Sequence, residues 1–475
     1  MDIGITNTWL LTFSGHGLGI VKDGAVGIED GKIVYIGETK DFPKNQADIL
    51  IDGTNHITMP GLVNAHIHTG ITILRGGAQD LPEIEWMNKG IGPISKHLQK
   101  EDTILGAKLG VLEAIKSGTT TFAEYASDVE NLVKEVYKPY GIRVIATETI
   151  NEVSRDRAHL KPTDIYDFDH NKGEIAFRKA KALFSTFSNE ELITNMFGPQ
   201  ALDMISLDLL SAIQEEAKEK QSKIHMHVAQ GQRERIQIKG RYGKESSTVS
   251  VLDKHGFLNE NLIAAHNHDT SEEERKLMVD KKVKFVCCPN SISMIDGIVP
   301  PVGHLVSLGG KVGLGSDQAP GPGLHNMFSE MRTISLLTKT LKKDPTALPA
   351  WEVLQLGTIG GANILGLENK IGSLEIGKQA DIITIDFNKP NLTPIIERPF
   401  HNFIPNIIYS ATGYEVNDVI INGKLILADG KFTEINEQEI ITNANKRAQQ
   451  IFDEATDDWK KAGSKMVKDS EMGML

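Results

Sequence analysis

Long hydrophobic runs are missing from this 475-residue chain. None approaches the roughly 20 apolar residues that a bilayer crossing requires. The segment Met1-Asp2-Ile3-Gly4-Ile5-Thr6-Asn7 has no basic stretch ahead of an apolar core, so no secretory signal is read there. Cysteine is nearly absent. The two present, Cys287 and Cys288, are adjacent and can build neither a disulfide framework nor a four-cysteine zinc site. A surplus of positive charge is missing as well. With 51 Lys and Arg against 63 Asp and Glu, the net charge of −12 lacks the basic face that nucleic acid or an anionic membrane would demand. The expectation is a cytoplasmic protein that binds neither. Finally, no glycine-rich phosphate turn follows the first buried strand, as a doubly wound nucleotide-binding sheet would show.

What is present is an ordinary globular composition, 40% hydrophobic and 24% charged, on a chain long enough for a barrel-sized domain and a smaller one. Residues 1–59 read as short strands with tight turns, among them an Asp30-Gly31 hairpin. The same texture returns over 368–435, where Ala380 to Ile385 reads as a strand and Asn422-Gly423 as a second hairpin turn. Two β segments flanking a different architecture predict one small β-sandwich built from both ends of the chain. Between them, over 60–367, strand-like runs begin near Gly61, Thr119, Ile142, Ile193, Lys223, Leu262, Lys284 and Lys311. Helical stretches such as Asp102 to Ser117, Glu272 to Lys282 and His325 to Lys343 separate them. This alternation predicts a (β/α)₈ barrel, whose site is built at the C-terminal ends of its strands. Residues 436–475 predict a polar amphipathic helical tail. Asn436 with Glu439 resembles a capping box, and Ile440, Ala444, Ala448 and Ile451 form a face for the barrel or for a neighbouring subunit.

The first barrel strand ends in His66-Ile67-His68, and alternation aims both imidazoles toward the barrel mouth. The fifth offers His225-Met226-His227, the sixth His266-Asn267-His268, and the eighth ends in Asp317. Buried strands seldom carry such groups without a partner. Nitrogen and oxygen donors of this kind imply one divalent metal, zinc first, with iron or manganese as alternatives. Water on such an ion has its pKa lowered toward ~7 and becomes a nucleophile. Asp317 could accept the water's proton and pass it to a leaving group, and His266 could polarise the substrate or orient the nucleophile.

These motifs resemble the amidohydrolase superfamily, in its branch of cytosine-deaminase-like and s-triazine hydrolase-like enzymes (atrazine chlorohydrolase, melamine deaminase). The resemblance extends through Pro60 to Thr69, Leu74-Arg75-Gly76, Trp86, Ser117 to Thr121, Cys288-Pro289-Asn290-Ser291, Gly315-Ser316-Asp317 and Gly372 to Asp381. It implies that His66, His68, His227 and Asp317 hold a single metal and that His266 stands beside the bound water. His227 takes the strand-five role because the family spaces that ligand three residues before a glutamate, here Gln230. His225 is then read as facing away from the metal, and His268 as a loop or outer residue. The fourth strand has no lysine, which disfavours a carboxylated-lysine binuclear site.

Two departures stand out. The family's deaminases use the glutamate at position 230 to carry a proton to a ring nitrogen, and Gln230 cannot titrate. Its work falls to Asp317 and His266, or is not needed, while Gln230 holds substrate by hydrogen bonds. Where nucleoside-type deaminases tend to show His-Ala-Pro-Tyr, this chain has Gln200-Ala201-Leu202-Asp203, which weakens the case for a nucleoside substrate. Trp86 and Gln200 are candidates to shape the pocket, with plain core packing an equal reading for Trp86. The expected activity is metal-dependent attack on an sp² carbon of a small nitrogen heterocycle, by deamination or dechlorination. Hydrolysis of a cyclic amide or amidine is the alternative that Gln230 favours. A non-catalytic relative serving as a binding or scaffold protein is a third reading, against which the five metal-site groups weigh. The resemblance also implies a homodimer or other homo-oligomer.

Overall fold

The computed structural model describes residues 1–153, 160–161 and 163–475. Eight parallel strands form the barrel: Leu62–His68, Thr119–Ala126, Arg143–Ile150, Ile193–Pro199, Ile224–Val228, Leu262–His266, Lys284–Cys287 and an interrupted eighth. The eighth begins as Lys311–Leu314, pairing with the seventh, and resumes as Asp317–Gln318, pairing with Ile67 and His68 of the first. That second piece closes the ring and sets Asp317 beside the first strand. The interruption falls at Gly315, where a Cβ would lie 2.6 Å from the carbonyl oxygen of His66, so only glycine permits the approach.

Side chains leave the strands on two sides. Leu62 and Ile67 belong to the outer core between strands and helices, whereas Val63 and Ala65 belong to an inner one with Ile145, Met196, Ile263 and Val286. Strict alternation would send His66 outward after Ala65. A register shift between Asn64 and Ile67 breaks the pleat and turns His66 into the barrel. Strand five needs no such device: Ile224, Met226 and Val228 pack outward, and His225 and His227 face in.

Strands from both chain ends make the second layer, one continuous nine-stranded sheet. Ile382–Asp386 pairs antiparallel with His56–Pro60, which joins the C-terminal strands to the N-terminal ones. The sheet curls until its extremes meet: Gly31 lies against Asn422, and the Gly31 carbonyl accepts from Ala380 N–H. Ile5, Val26, Ile28, Ile382 and Ile420 fill the space enclosed. The sandwich expected from the sequence is thus a single sheet folded over. Both hairpin turns carry the two left-handed residues of a type I′ turn, Asp30 (φ 49°) with Gly31 (φ 75°) and Asn422 (φ 49°) with Gly423 (φ 77°).

A buried ion pair ties the layers. Arg143, on the third barrel strand, donates from Nε and Nη2 to Asp381 at 2.6 and 2.8 Å. The tail helix Glu437–Ala462 buries Ile440, Ala444, Ile451 and Ala455, and Asn436 Oδ1 accepts from Glu439 N–H at its start. It packs on the segment after the first barrel strand, where Ile451 and Ala455 meet Ile73, Leu74, Ile91 and Ile94. Among the described residues no helix is long and apolar enough to cross a membrane.

Candidate active site

At the C-terminal mouth of the barrel the imidazoles of His66, His68, His227 and His266 gather around one carboxylate. Donor atoms of His66, His68 and His227 lie within 4.8 Å of one another, as do those of His66, His266 and Asp317. His68 Nε2 is 3.3 Å from Asp317 Oδ1, and His66 Nε2 is 3.7 Å from it. The rings of His68 and His227 lie nearly parallel, with centroids 5.8 Å apart.

In three of the four rings the nitrogen away from the mouth is already engaged. His68 Nδ1 donates to the Tyr125 carbonyl at 2.5 Å, and His227 Nδ1 to the Gln200 carbonyl at 2.7 Å. A carbonyl can only accept, so in both neutral rings the proton sits on Nδ1 and the Nε2 lone pair faces the mouth. His66 Nδ1 lies 3.0 Å from His225 Nε2. His225 therefore does not face away, as the sequence reading had it. Residues two apart on a strand share a face, and His225 lies on the inner face with His227, where it supports the ring of His66.

Burial sets the charge states. Desolvation, with the neighbouring imidazoles, pulls His66 and His227 well below the ordinary histidine range and His225 down to about 3. His266 falls to about 4, again through burial. For His68, burial acts downward, but the hydrogen bond and charge of Asp317 more than offset it and the pKa is raised. Burial pushes Asp317 up, yet His68, His266 and Ser291 together hold its carboxyl below the usual range. Ser291 Oγ donates to Asp317 Oδ2 at 2.5 Å, leaving Oδ1 turned to the imidazoles.

These residues fit a metal ion. His66 Nε2 and both ring nitrogens of His266 are buried with no hydrogen-bond partner among the described residues, a costly arrangement unless something at the mouth engages them. Three imidazoles and a carboxylate are the donor set of a zinc-like ion with nitrogen and oxygen ligands. The local backbone is held in unusual conformations, with left-handed φ at His266 (76°), Asn267 (57°) and Asp317 (60°). Alternation would turn His266 outward with Ala264; the left-handed turn is what brings its ring to 5.2 Å from that of His227.

The remaining candidates lie around this centre. Gln200 contributes its backbone carbonyl to His227, while its side-chain oxygen accepts from Asn151. Trp86 packs among Ile91, Ile94 and Ile451 under the tail helix, with its indole N–H buried and without a hydrogen-bond partner among the described residues. His268 is buried, with Nε2 3.6 Å from an Asp296 carboxylate oxygen. Gln230 is half-buried at the end of strand five, its Oε1 3.3 Å from Arg233 Nη2. Arg233 itself is buried between Glu83 and Asp203. Sequence reasoning missed Arg233, Glu83, Ser291 and the carbonyl of Tyr125. For Ser291 the signal was available, because it stands in the Cys-Pro-Asn-Ser run already singled out.

A model of the amidohydrolase family matches residues 57–426. The chain belongs to that family. A 5'-deoxyadenosine deaminase of Methanosarcina mazei is 35% identical over 452 residues, covering 95% of this chain and 98% of the relative. A 5-methylthioadenosine/S-adenosylhomocysteine deaminase of Moorella thermoacetica is 33% identical over 429 residues, 90% of this chain and 95% of the relative. Among solved structures, an adenosine deaminase from Xanthomonas campestris with bound zinc superposes with a TM-score of 0.85. It is 28% identical and covers 95% of this chain and 98% of its own. An atrazine chlorohydrolase of Arthrobacter aurescens in complex with zinc gives a TM-score of 0.83 at 18% identity, over 94% of this chain and 100% of that one, a likeness of fold. This amidohydrolase thus shares its barrel and terminal sheet with both groups, and its sequence similarity at a third of positions is to adenosine-type deaminases.

Proposed function

We propose that this amidohydrolase, a hydrolase of carbon–nitrogen bonds, deaminates a purine-like nitrogen heterocycle, with His66, His68, His227 and Asp317 holding one divalent metal ion, zinc by preference. The observation that carries the reading is the gathering of imidazole nitrogens and the Asp317 carboxylate within 4.8 Å of one another in two overlapping groups, with the opposite nitrogens of His68 and His227 tied to backbone carbonyls. When bound, the ion would supply Lewis acidity and lower the pKa of water at the mouth. Asp317 is the buried carboxylate placed to take a proton from the attacking water and return it to the departing amine. His266 is neutral at pH 7 and, among the described residues, has no hydrogen-bond partner at either nitrogen, which leaves it available to hydrogen-bond the reacting group. Gln230 holds the substrate and moves no proton. The similarity to deaminases of adenosine derivatives supports a purine-like ring. Gln230 favours a second reading, hydrolysis of a cyclic amide, in which the attack on the carbonyl carbon needs no protonated ring nitrogen and Asp317 returns the proton to that nitrogen as the C–N bond breaks.

The test is metal analysis of the purified chain joined to a screen of aminated purines, chlorinated triazines and cyclic amides, following ammonia, chloride or ring-opened acid. The expected result is roughly one equivalent of metal and ammonia release from an aminated purine. Ring-opened acid alone would move the assignment to the cyclic amide. Failure to retain metal, with no turnover after zinc, manganese or iron is added, would overturn the enzymatic reading.

A further inference from the structure

A row of buried hydrogen bonds links the residue before Asp317 to the residue after His68. It begins at Asn64, on the first barrel strand. Ser316 N–H donates to Asn64 Oδ1 at 3.0 Å, so the other end of that amide is Nδ2, which donates to Ser316 Oγ at 2.7 Å. Ser316 Oγ lies 2.9 Å from His325 Nδ1, and His325 Nε2 lies 3.0 Å from Thr72 Oγ1. Thr72 Oγ1 donates in turn to the Thr69 carbonyl at 2.7 Å. Asn64, Ser316, His325 and Thr72 are all fully buried.

The direction of the row is fixed from its ends. A carbonyl only accepts, so the single Thr72 hydroxyl proton is spent on Thr69, and Thr72 Oγ1 must accept from His325 Nε2. Burial pulls His325 down to about 3, with the charge of Arg75 adding to it, so the ring is neutral and has no second proton. Its Nδ1 is therefore bare and accepts from Ser316 Oγ–H. Both ends are held in turn. His325 stands directly before the helix Met327–Lys342, which Asn326 caps by accepting from Phe328 and Ser329 N–H at 2.9 and 3.2 Å. At the other end Thr69 donates from N–H and Oγ1 to the buried Glu124 carboxylate at 3.1 and 2.5 Å. The helix Lys100–Lys116 passes Thr72 at Gly110, where a Cβ would lie 2.5 Å from Thr72 Oγ1 and 3.2 Å from His325 Cδ2. Glycine is a poor residue for a helix interior, and here it makes the room the row needs.

We infer that His325 is a positioning residue for the metal site: by accepting from Ser316 and donating through Thr72 to Thr69, it fixes from outside the spacing of Asp317 and His68. Those two side chains approach to 3.3 Å across two strands, and a fixed spacing lets them meet one ion without rearrangement. This rests on the proposal above that Asp317 and His68 hold a metal ion.

Three variants test it. Thr72→Val keeps the shape and removes the hydroxyl, Thr72→Ser keeps the hydroxyl, and His325→Phe keeps a ring without nitrogens. Zinc affinity is measured by competition with a chromophoric chelator, and the visible spectrum of the cobalt-loaded chain reports coordination geometry. Thr72→Val and His325→Phe are expected to weaken zinc binding about tenfold, the lower end of what such supports are worth, and to shift the cobalt absorption with circular dichroism unchanged. Thr72→Ser should match the wild type in both. If His325→Phe does not fold, the two Thr72 variants decide. An unmoved cobalt spectrum with zinc affinity within about twofold of wild type in Thr72→Val overturns the inference. The backbone pairing of Asp317 and Gln318 with Ile67 and His68 would then be enough to set the spacing. A loss in Thr72→Ser as large as in Thr72→Val overturns it too, since the hydroxyl would not be the agent. A wild type that binds neither zinc nor cobalt overturns the metal site itself, which separates failure of the broader proposal from failure of this one.

Discussion

His66 Nδ1 and His225 Nε2 face each other at 3.0 Å, and a neutral imidazole carries a single N–H. If His66 is to present its Nε2 lone pair at the mouth, its proton sits on Nδ1 and His225 must accept it at Nε2. His225 never reaches the mouth, yet it fixes the tautomer and the tilt of a ring that does. Replacing His225 with phenylalanine keeps most of the volume and removes the acceptor, leaving a buried N–H on His66 unpaired. Metal affinity is expected to fall 10–100-fold, the usual cost of losing such a support. Competition for zinc with a chromophoric chelator measures it, and affinity within twofold of wild type would mean that His66 is held by other contacts. At this scale the donors themselves were legible in the sequence, because His66, His68, His227, His266 and Asp317 are polar residues closing apolar strands. Their supports were not. A carbonyl such as that of Tyr125 or Gln200 has no signature in the residue type that bears it. Glu83, which holds Arg233, opens a short helix, Glu83–Glu85, 150 positions away in the chain.

Among elements, strand positions and hairpin turns followed from the sequence, since hydrophobic period and Asp-Gly or Asn-Gly dipeptides act locally. What did not follow were the breaks in regular pairing: the register shift that turns His66 inward, the left-handed turn at His266 and the interruption at Gly315. Each departs from alternation where the site needs a side chain aimed differently. The run Gly372 to Asp381, part of the family resemblance, gains a physical role in the same way. Asp381 receives both forks of Arg143 and, at Oδ1, the Asn422 N–H at 2.9 Å, so barrel and terminal sheet meet on one carboxylate. Arg143 and Asp381 are 3% and 2% exposed in their side chains, which places the pair where a lone charge is expensive. Asp381→Ala strands the guanidinium and should cost about 3–5 kcal/mol, more than a surface pair could. Urea unfolding of the variant gives the value, and a loss under roughly 1 kcal/mol would show that water reaches Arg143 and relieves it.

Across the whole molecule the tail connects the far end of the chain to the region in front of the site. The helix Glu437–Ala462 covers the apolar cluster of Ile73, Leu74, Ile91 and Ile94, and Arg447 donates to both oxygens of Asp102 at 2.7 and 3.0 Å. Beyond it, Lys465 N–H donates to Glu85 Oε1 at 2.8 Å. The covered segment is the one that carries Glu83, and Glu83 holds the arginine behind Gln230. Ending the chain at residue 435 would expose that cluster to water, and each large side chain uncovered should cost about 1.5–3 kcal/mol. The barrel strands keep their own pairing and should stay folded, with the metal donors of strands one, five and eight in place. Local opening should therefore be confined to the uncovered segment. In hydrogen exchange, residues 73–95 of the shortened chain are expected to lose protection while Ile224–Val228 and Leu262–His266 keep theirs. Zinc affinity should be unchanged, while Arg233 loses a fixed Glu83 as its partner. Unaltered protection over 73–95 would show that the tail is a passenger on the barrel, and loss of protection throughout would show that it is part of the barrel's core.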